Sequence, residues 1–132
     1  MTITDRFLPR SDELNARLHR MVPGGAHTYA KGDDQYPEGL APVIAHGRGA
    51  HVWDVDGNEY SDFHNGFGVV CVGHANPQVA AAVKVQAERG THFAAPTEGS
   101  IIVAEELVRR FKLPQWRFTN SGTESTMDAV HL

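Results

Sequence analysis

The chain has 132 residues, 41% of them hydrophobic, enough for one ordinary domain with a core of its own. A formal net charge of −4 leaves no basic footprint, which argues against nucleic acid or an anionic membrane as partner. A single cysteine, Cys71, excludes an internal disulfide. Met1-Thr-Ile-Thr-Asp-Arg-Phe-Leu-Pro9 lacks the apolar h-region of a signal peptide and no apolar run is long enough to span a bilayer, so the cytoplasm is the expected compartment.

In chain order, Leu14, Leu18 and Met21 recur at helical spacing behind Ser11 and Asp12, which predicts a short amphipathic helix over 11–21, ended by Pro23-Gly24-Gly25. Residues 26–42 have no sustained period, and Gly32, Pro37, Gly39 and Pro42 mark an irregular loop of a length that often carries function. Three strands follow at 43–46, 51–55 and 59–63, joined through Gly47-Arg48-Gly49 and the tight-turn pair Asp56-Gly57, giving an antiparallel meander. Asp54, Asp56 and Asn58 imitate a calcium loop, but Glu59 holds the position that needs glycine and Asn65 the one that needs a bidentate Glu, so a hairpin turn explains them better. Gly66-Phe67-Gly68 is not a dinucleotide fingerprint, because the third glycine position is Cys71. Cys71 itself, within Val69-Val70-Cys71-Val72, is expected as a buried small hydrophobe.

Asn76-Pro77 opens the clearest helix, with Val79, Ala82, Val83 and Ala87 on one face and Gly90 beyond its end. A second runs over 97–111 with Ile101, Ala104, Val108 and Phe111 aligned and Pro114 following. A strand at 116–119 and a helix from Ser121 complete an α/β layer. The change from strand-rich to helix-strand-helix sequence places a boundary between segments 1–75 and 76–132. None of the eight histidines belongs to His-Glu-x-x-His or a Cys cluster, so no metal site is expected.

The turn into the last helix carries the chemistry. Ser121 and Glu124 have capping-box spacing, and the first N–H groups of a helix lack internal partners and carry the positive end of its dipole. Gly122 would let an anion approach closely, and Ser121 and Thr123 add hydroxyl donors, so a phosphate fits there. A plain helix cap is the competing reading and the commoner one. The helix then reaches Leu132 without a Gly, Asn or Pro stop, as expected of a truncated chain.

Phe118-Thr-Asn-Ser-Gly-Thr-Glu-Ser-Thr-Met-Asp-Ala-Val130 resembles the phosphate-binding segment of class III pyridoxal-phosphate aminotransferases, the group that includes glutamate-1-semialdehyde aminomutase. Gly49-Ala-His-Val-Trp-Asp-Val-Asp-Gly-Asn-Glu-Tyr-Ser-Asp-Phe63, Gly73-His-Ala-Asn-Pro77 and Gly90-Thr-His-Phe-Ala-Ala-Pro-Thr-Glu98 are similar to that group's motifs in order and spacing. The resemblance implies an α/β fold, the N-terminal part of the aspartate-aminotransferase-like (fold type I) transferases, with the meander followed by the start of the large domain. It implies pyridoxal 5′-phosphate as cofactor, with Ser121, Gly122 and Thr123 at its phosphate, and Phe67 as a wall of the substrate pocket, against the reading of Phe67 as a core residue.

By the same resemblance the lysine that would hold the cofactor lies beyond residue 132. Lys31, Lys84 and Lys112 do not match it, so these 132 residues are not expected to catalyse transamination alone. The complete protein is then expected to be a homodimer that moves an amino group between an amine or amino acid and an oxo acid or aldehyde. The alternative is the intramolecular aminomutase, against which Gly66-Phe67-Gly68 stands where that enzyme usually shows Ser-Trp-Gly. A further alternative is a short non-catalytic protein that binds a partner or a phosphate.

Overall fold

The computed structural model describes residues 7–132. They fall into two compact units, Met1–Val85 and Gln86–Leu132.

The first unit opens with α1, Pro9–Met21, which starts two residues before the predicted Ser11. Its N-cap, Leu8, offers no side-chain acceptor. Instead, Asp56 reaches in from the turn of a distant hairpin. Its two carboxylate oxygens accept the Arg10 and Ser11 N–H groups at 2.9 Å each, and the Ser11 hydroxyl donates to Oδ2 at 2.6 Å. A carboxylate at this end satisfies orphan donors and opposes the helix dipole, so α1 is capped from 45 residues away in sequence. Ser11 is fully buried and its oxygen also accepts the Val43 N–H at 3.1 Å, tying helix, hairpin turn and sheet entry together.

Short 3-10 turns at Pro23–Gly25, Tyr29–Lys31 and Asp33–Gln35 punctuate the loop that follows, otherwise irregular as predicted. The meander is present: β1 (Ile44–Arg48), β2 (His51–Asp54) and β3 (Glu59–Ser61) pair antiparallel in the order β1-β2-β3. β1 runs through Gly47 and Arg48, which the sequence placed in the turn, and pairs Arg48 with His51. A bulge separates the Ile44 and His46 pairings. In the second hairpin Gly57 takes φ +88°, and Asp54, nearly fully buried, accepts from the Asp56 N–H, the Asn58 N–H and side chain, and the Tyr60 hydroxyl. The acids at 54–58 therefore build a turn. β3 stops at Ser61, short of the predicted Phe63, because the Asp62 carboxylate accepts the His64 and Asn65 N–H groups and bends the chain away. A single turn, α2 (Asn65–Gly68), follows.

α3, Pro77–Ala87, is capped by the Asn76 carboxamide oxygen, which accepts from the Gln78 and Val79 N–H groups. The second unit holds α4, Glu98–Phe111, and α5, Gly122–His131. Thr97 caps α4, and Lys112 closes it in the left-handed region at φ +58°. The predicted strand at 116–119 does not form. The sheet among the described residues has three strands, all in the first unit, so this β-favouring stretch has no ladder to join and remains without assigned structure.

Composition predicted a core, and here sequence and structure part. Leu8 and Ala41 are the buried hydrophobic residues among those described, while Val79 and Val83 on α3, and Ile101, Val108 and Phe111 on α4, stand exposed. The apolar faces are where periodicity put them; what they lack is cover. Cys71 is likewise exposed rather than buried, because Val69-Val70-Cys71-Val72 forms turns instead of a sheathed strand.

Candidate functional site

The second unit's candidate site is the N-terminus of α5. Ser121 is the N-cap, extended at φ −151°, and its oxygen accepts the Glu124 N–H at 3.2 Å. The Glu124 carboxylate reaches back, but to the Asn120 N–H at 2.7 Å, one residue earlier than in a standard capping box. The N–H groups of Ser121, Gly122 and Thr123 are consequently left without an acceptor among the described residues. The Ser121 hydroxyl, already an acceptor, keeps its proton for donation. Arg117 ties the approach segment to the helix through Asp128 at 2.9 Å.

Gly122 tests whether this arrangement suits a phosphate. Its φ lies outside the left-handed region, and a Cβ built on it would meet nothing within 4 Å. The chain's own packing therefore does not demand glycine. A bare Cα at the first helical position leaves open the approach to three unpaired donors, and that fits a phosphate oxygen drawing close to the backbone.

Phe67 lies in the first unit, in α2. Asn65, Gly66, Phe67 and Gly68 take φ values of 52°, 56°, 60° and 84°, a left-handed turn. For Asn and glycine this is ordinary; for phenylalanine it is strained, and such strain concentrates at binding sites. Phe67 is 58% exposed, and its ring meets His64 edge-on with centroids 4.1 Å apart. The three α5 residues are thus brought together, and Phe67 belongs to the other unit.

Asp62 and His74 form the best-buried carboxylate–imidazole contact of the first unit, at 2.6 Å, and sequence reading gave neither residue a role. The Asp62 carboxyl is held below its ordinary range, first by the His74 hydrogen bond and then by the Asn65 and His64 N–H groups, which outweigh its partial burial. Both stand in segments that resemble the family's motifs, but nothing in those segments pairs the one residue with the other. Among the described residues no group of three or more His, Cys, Asp or Glu is arranged to hold a metal ion, and no helix is long and apolar enough to cross a membrane.

Residues 32–132 match the family described as class III aminotransferase. Glutamate-1-semialdehyde 2,1-aminomutase of Desulfitobacterium hafniense is 42% identical over 125 residues, covering 93% of this chain and 29% of the relative. Other curated relatives at 37–40% identity bear the same description, so they favour the aminomutase over the intermolecular transaminase that the sequence alone put first. A variant of the Pseudomonas aeruginosa PAO1 glutamate-1-semialdehyde aminomutase, solved in complex with PMP, superposes with a TM-score of 0.86 at 36% identity, over 98% of this chain and 28% of that one. An omega-transaminase from Sphaerobacter thermophilus gives 0.84 at 39% identity, over 97% and 28%. The chain thus spans under a third of the length of these relatives.

Proposed function

The chain belongs to the class III aminotransferase family, the N-terminal region of the fold type I transferases, and from that premise we propose that α5 and the loop after β3 are the phosphate-binding and substrate-side parts of a pyridoxal-phosphate enzyme that relocates an amino group. The observation that carries this reading is the α5 entry: three N–H groups with no acceptor among the described residues, a glycine that their packing does not require, and hydroxyls on Ser121 and Thr123. Gly122 and Thr123 would hold the phosphate through their backbone N–H groups, and the Ser121 and Thr123 hydroxyls would add donors to it. When bound, the cofactor's pyridine ring withdraws electrons from the carbon that carries the amino group. Fixing the phosphate would anchor one end of the cofactor, so that its reacting end keeps one orientation.

The reaction supported best is that of glutamate-1-semialdehyde 2,1-aminomutase, in which the amino group moves within one substrate; the descriptions of the curated relatives support it. A second reading, transfer between an amine or amino acid and an oxo acid or aldehyde, is favoured by Gly66-Phe67-Gly68 in place of Ser-Trp-Gly and by the likeness to the omega-transaminase. We take the working enzyme to be a cytoplasmic homodimer. The deciding experiment loads the complete protein with pyridoxal phosphate and supplies glutamate-1-semialdehyde, or an amine with pyruvate or 2-oxoglutarate. 5-Aminolevulinate from the first mixture supports the aminomutase; amine-dependent alanine or glutamate in the second, with no turnover in the first, supports the transaminase. Turnover in neither mixture sinks both.

A further inference from the structure

The excursion that carries Phe67 leaves at Asp62 and returns at His74, and its neck is closed twice over. Asp62 Oδ2 meets His74 Nε2 at 2.6 Å, with side chains only 12% and 25% exposed, while Oδ1 accepts the His64 and Asn65 N–H groups at 2.9 Å each. The backbone of His74 is fastened independently: its N–H donates to Gly49 O and its carbonyl accepts the Gly49 N–H, both at 2.9 Å.

Glycines make that closeness possible. A Cβ on Gly47 would stand 2.6 Å from the His74 ring, and one on Gly73 would stand 3.2 Å from the Gly49 backbone. The ring of His74 therefore lies over Gly47 on β1 and is aimed at Asp62. Beyond the neck the chain enters the left-handed turn, where Val70 N–H donates to Asn65 O at 3.1 Å and Phe67 N–H to His64 O at 3.1 Å. A phenylalanine in this conformation persists only when its surroundings over-determine it, and Asp62 fixes the two residues that start the turn.

We propose that Asp62 and His74 are positioning residues, a clamp at the neck of the loop that sets the left-handed turn and thereby holds the Phe67 ring at the substrate. The clamp rests on the reading of Phe67 as a pocket wall. Asp62 acts on the turn by accepting N–H groups, and His74 acts by orienting Asp62 against the sheet; neither touches the reacting atoms.

The test uses the complete, cofactor-loaded protein with Asp62→Asn, Asp62→Ala, His74→Gln, His74→Ala, Phe67→Ala and the Asp62→Ala/Phe67→Ala pair. Three quantities are read: hydrogen exchange of the His64, Asn65 and Val70 amides, KM and kcat for the amino substrate, and cofactor absorbance. Asp62→Ala is expected to speed exchange at these amides about tenfold or more and to raise KM about tenfold with a smaller change in kcat and unaltered cofactor content. Asp62→Asn keeps the Oδ1 acceptor and is expected to fall between wild type and Asp62→Ala. His74→Gln, which retains an N–H donor, is expected to rescue what His74→Ala loses. Phe67→Ala is expected to raise KM similarly, and the pair to be no worse than either change alone.

Unchanged exchange in Asp62→Ala overturns the clamp whatever the kinetics. Faster exchange with KM effects that multiply in the pair overturns the link between clamp and Phe67. A normal KM in Phe67→Ala, with exchange still accelerated in Asp62→Ala, overturns the pocket reading and with it the clamp's role at the substrate. If Asp62→Ala does not fold, the His74→Gln and His74→Ala comparison decides by the same readings.

Discussion

Gly122 and Thr123 are the residues whose chemistry can be separated from folding. Because a Cβ on Gly122 meets nothing, Gly122→Ala is expected to change stability by less than about 0.5 kcal/mol while weakening cofactor binding, since the methyl group stands where the anion approaches. Thr123→Ala removes one hydroxyl donor to a charged ligand, worth about 1.5–3 kcal/mol, and is expected to lower affinity about 10- to 100-fold. Titrating the apo form of the complete enzyme with pyridoxal phosphate checks both; unaltered affinity in both variants would remove α5 from the phosphate site. The acids offer a second separable effect. Burial works to raise the Asp54 pKa, but hydrogen bonds from Tyr60, Asn58 and Asp56 outweigh it, and Asp62 is lowered by its own donors. A carboxyl lowered in the folded state stabilises the fold above its ordinary pKa of 3.8, and that contribution is lost as pH falls through the lower, folded-state value. Trp53 fluorescence is therefore expected to report loosening of the meander below about pH 4, with a shallower pH dependence in Asp54→Asn. A slope identical to wild type would contradict this account.

At the scale of elements, α1 depends on a residue outside it. Asp56→Ala strips the acceptors from the Arg10 and Ser11 N–H groups and leaves the buried Ser11 hydroxyl without its acceptor, so α1 is expected to fray from its start and the thermal midpoint to fall. Asp56→Asn, which keeps one acceptor oxygen, is expected to lie between. Exchange at Arg10 and Ser11 measures the fraying, and protection unchanged in Asp56→Ala would refute the remote cap. This element also marks the limit of sequence reading. Periodicity at Leu14, Leu18 and Met21 located the helix, and Asp56-Gly57 located the hairpin, since both signals are local. That the hairpin's aspartate would begin the helix was not legible, because such a cap depends on a contact 45 residues long in sequence. The α5 entry was legible for the opposite reason: Ser121, Gly122, Thr123 and Glu124 are consecutive, and cap geometry is local. The pairing of Asp62 with His74 was not legible because a contact across a loop has no period. The 116–119 stretch misled because β-propensity describes a surface to pair with, and among the described residues it has none.

For the molecule as a whole, the mismatch between composition and burial is the physical fact that needs an account. A chain with 41% hydrophobic residues folds to helices whose apolar faces are correct in phase, yet Ile101 remains 54% exposed and Phe111 60%. Exposed apolar surface contributes none of the roughly 25 cal/mol per Å² that burial supplies, so helical order here rests on caps and turn bonds more than on a core. The polypeptide 1–132, produced by itself, is therefore expected to bind the dye ANS and to unfold over a broad range of temperature. Within it, Ile101→Ala is expected to cost less than about 1 kcal/mol, where the same change in a closed core costs about 2–5 kcal/mol. Far-UV circular dichroism during heating, with ANS fluorescence at the start, measures all three. If the polypeptide instead melts sharply, excludes the dye and loses several kcal/mol with Ile101→Ala, then α4 packs against something that the exposures omit. In that case the stability of this segment would be its own, and the caps at Asn76, Thr97 and Ser121 would be secondary to a core that these helices complete among themselves.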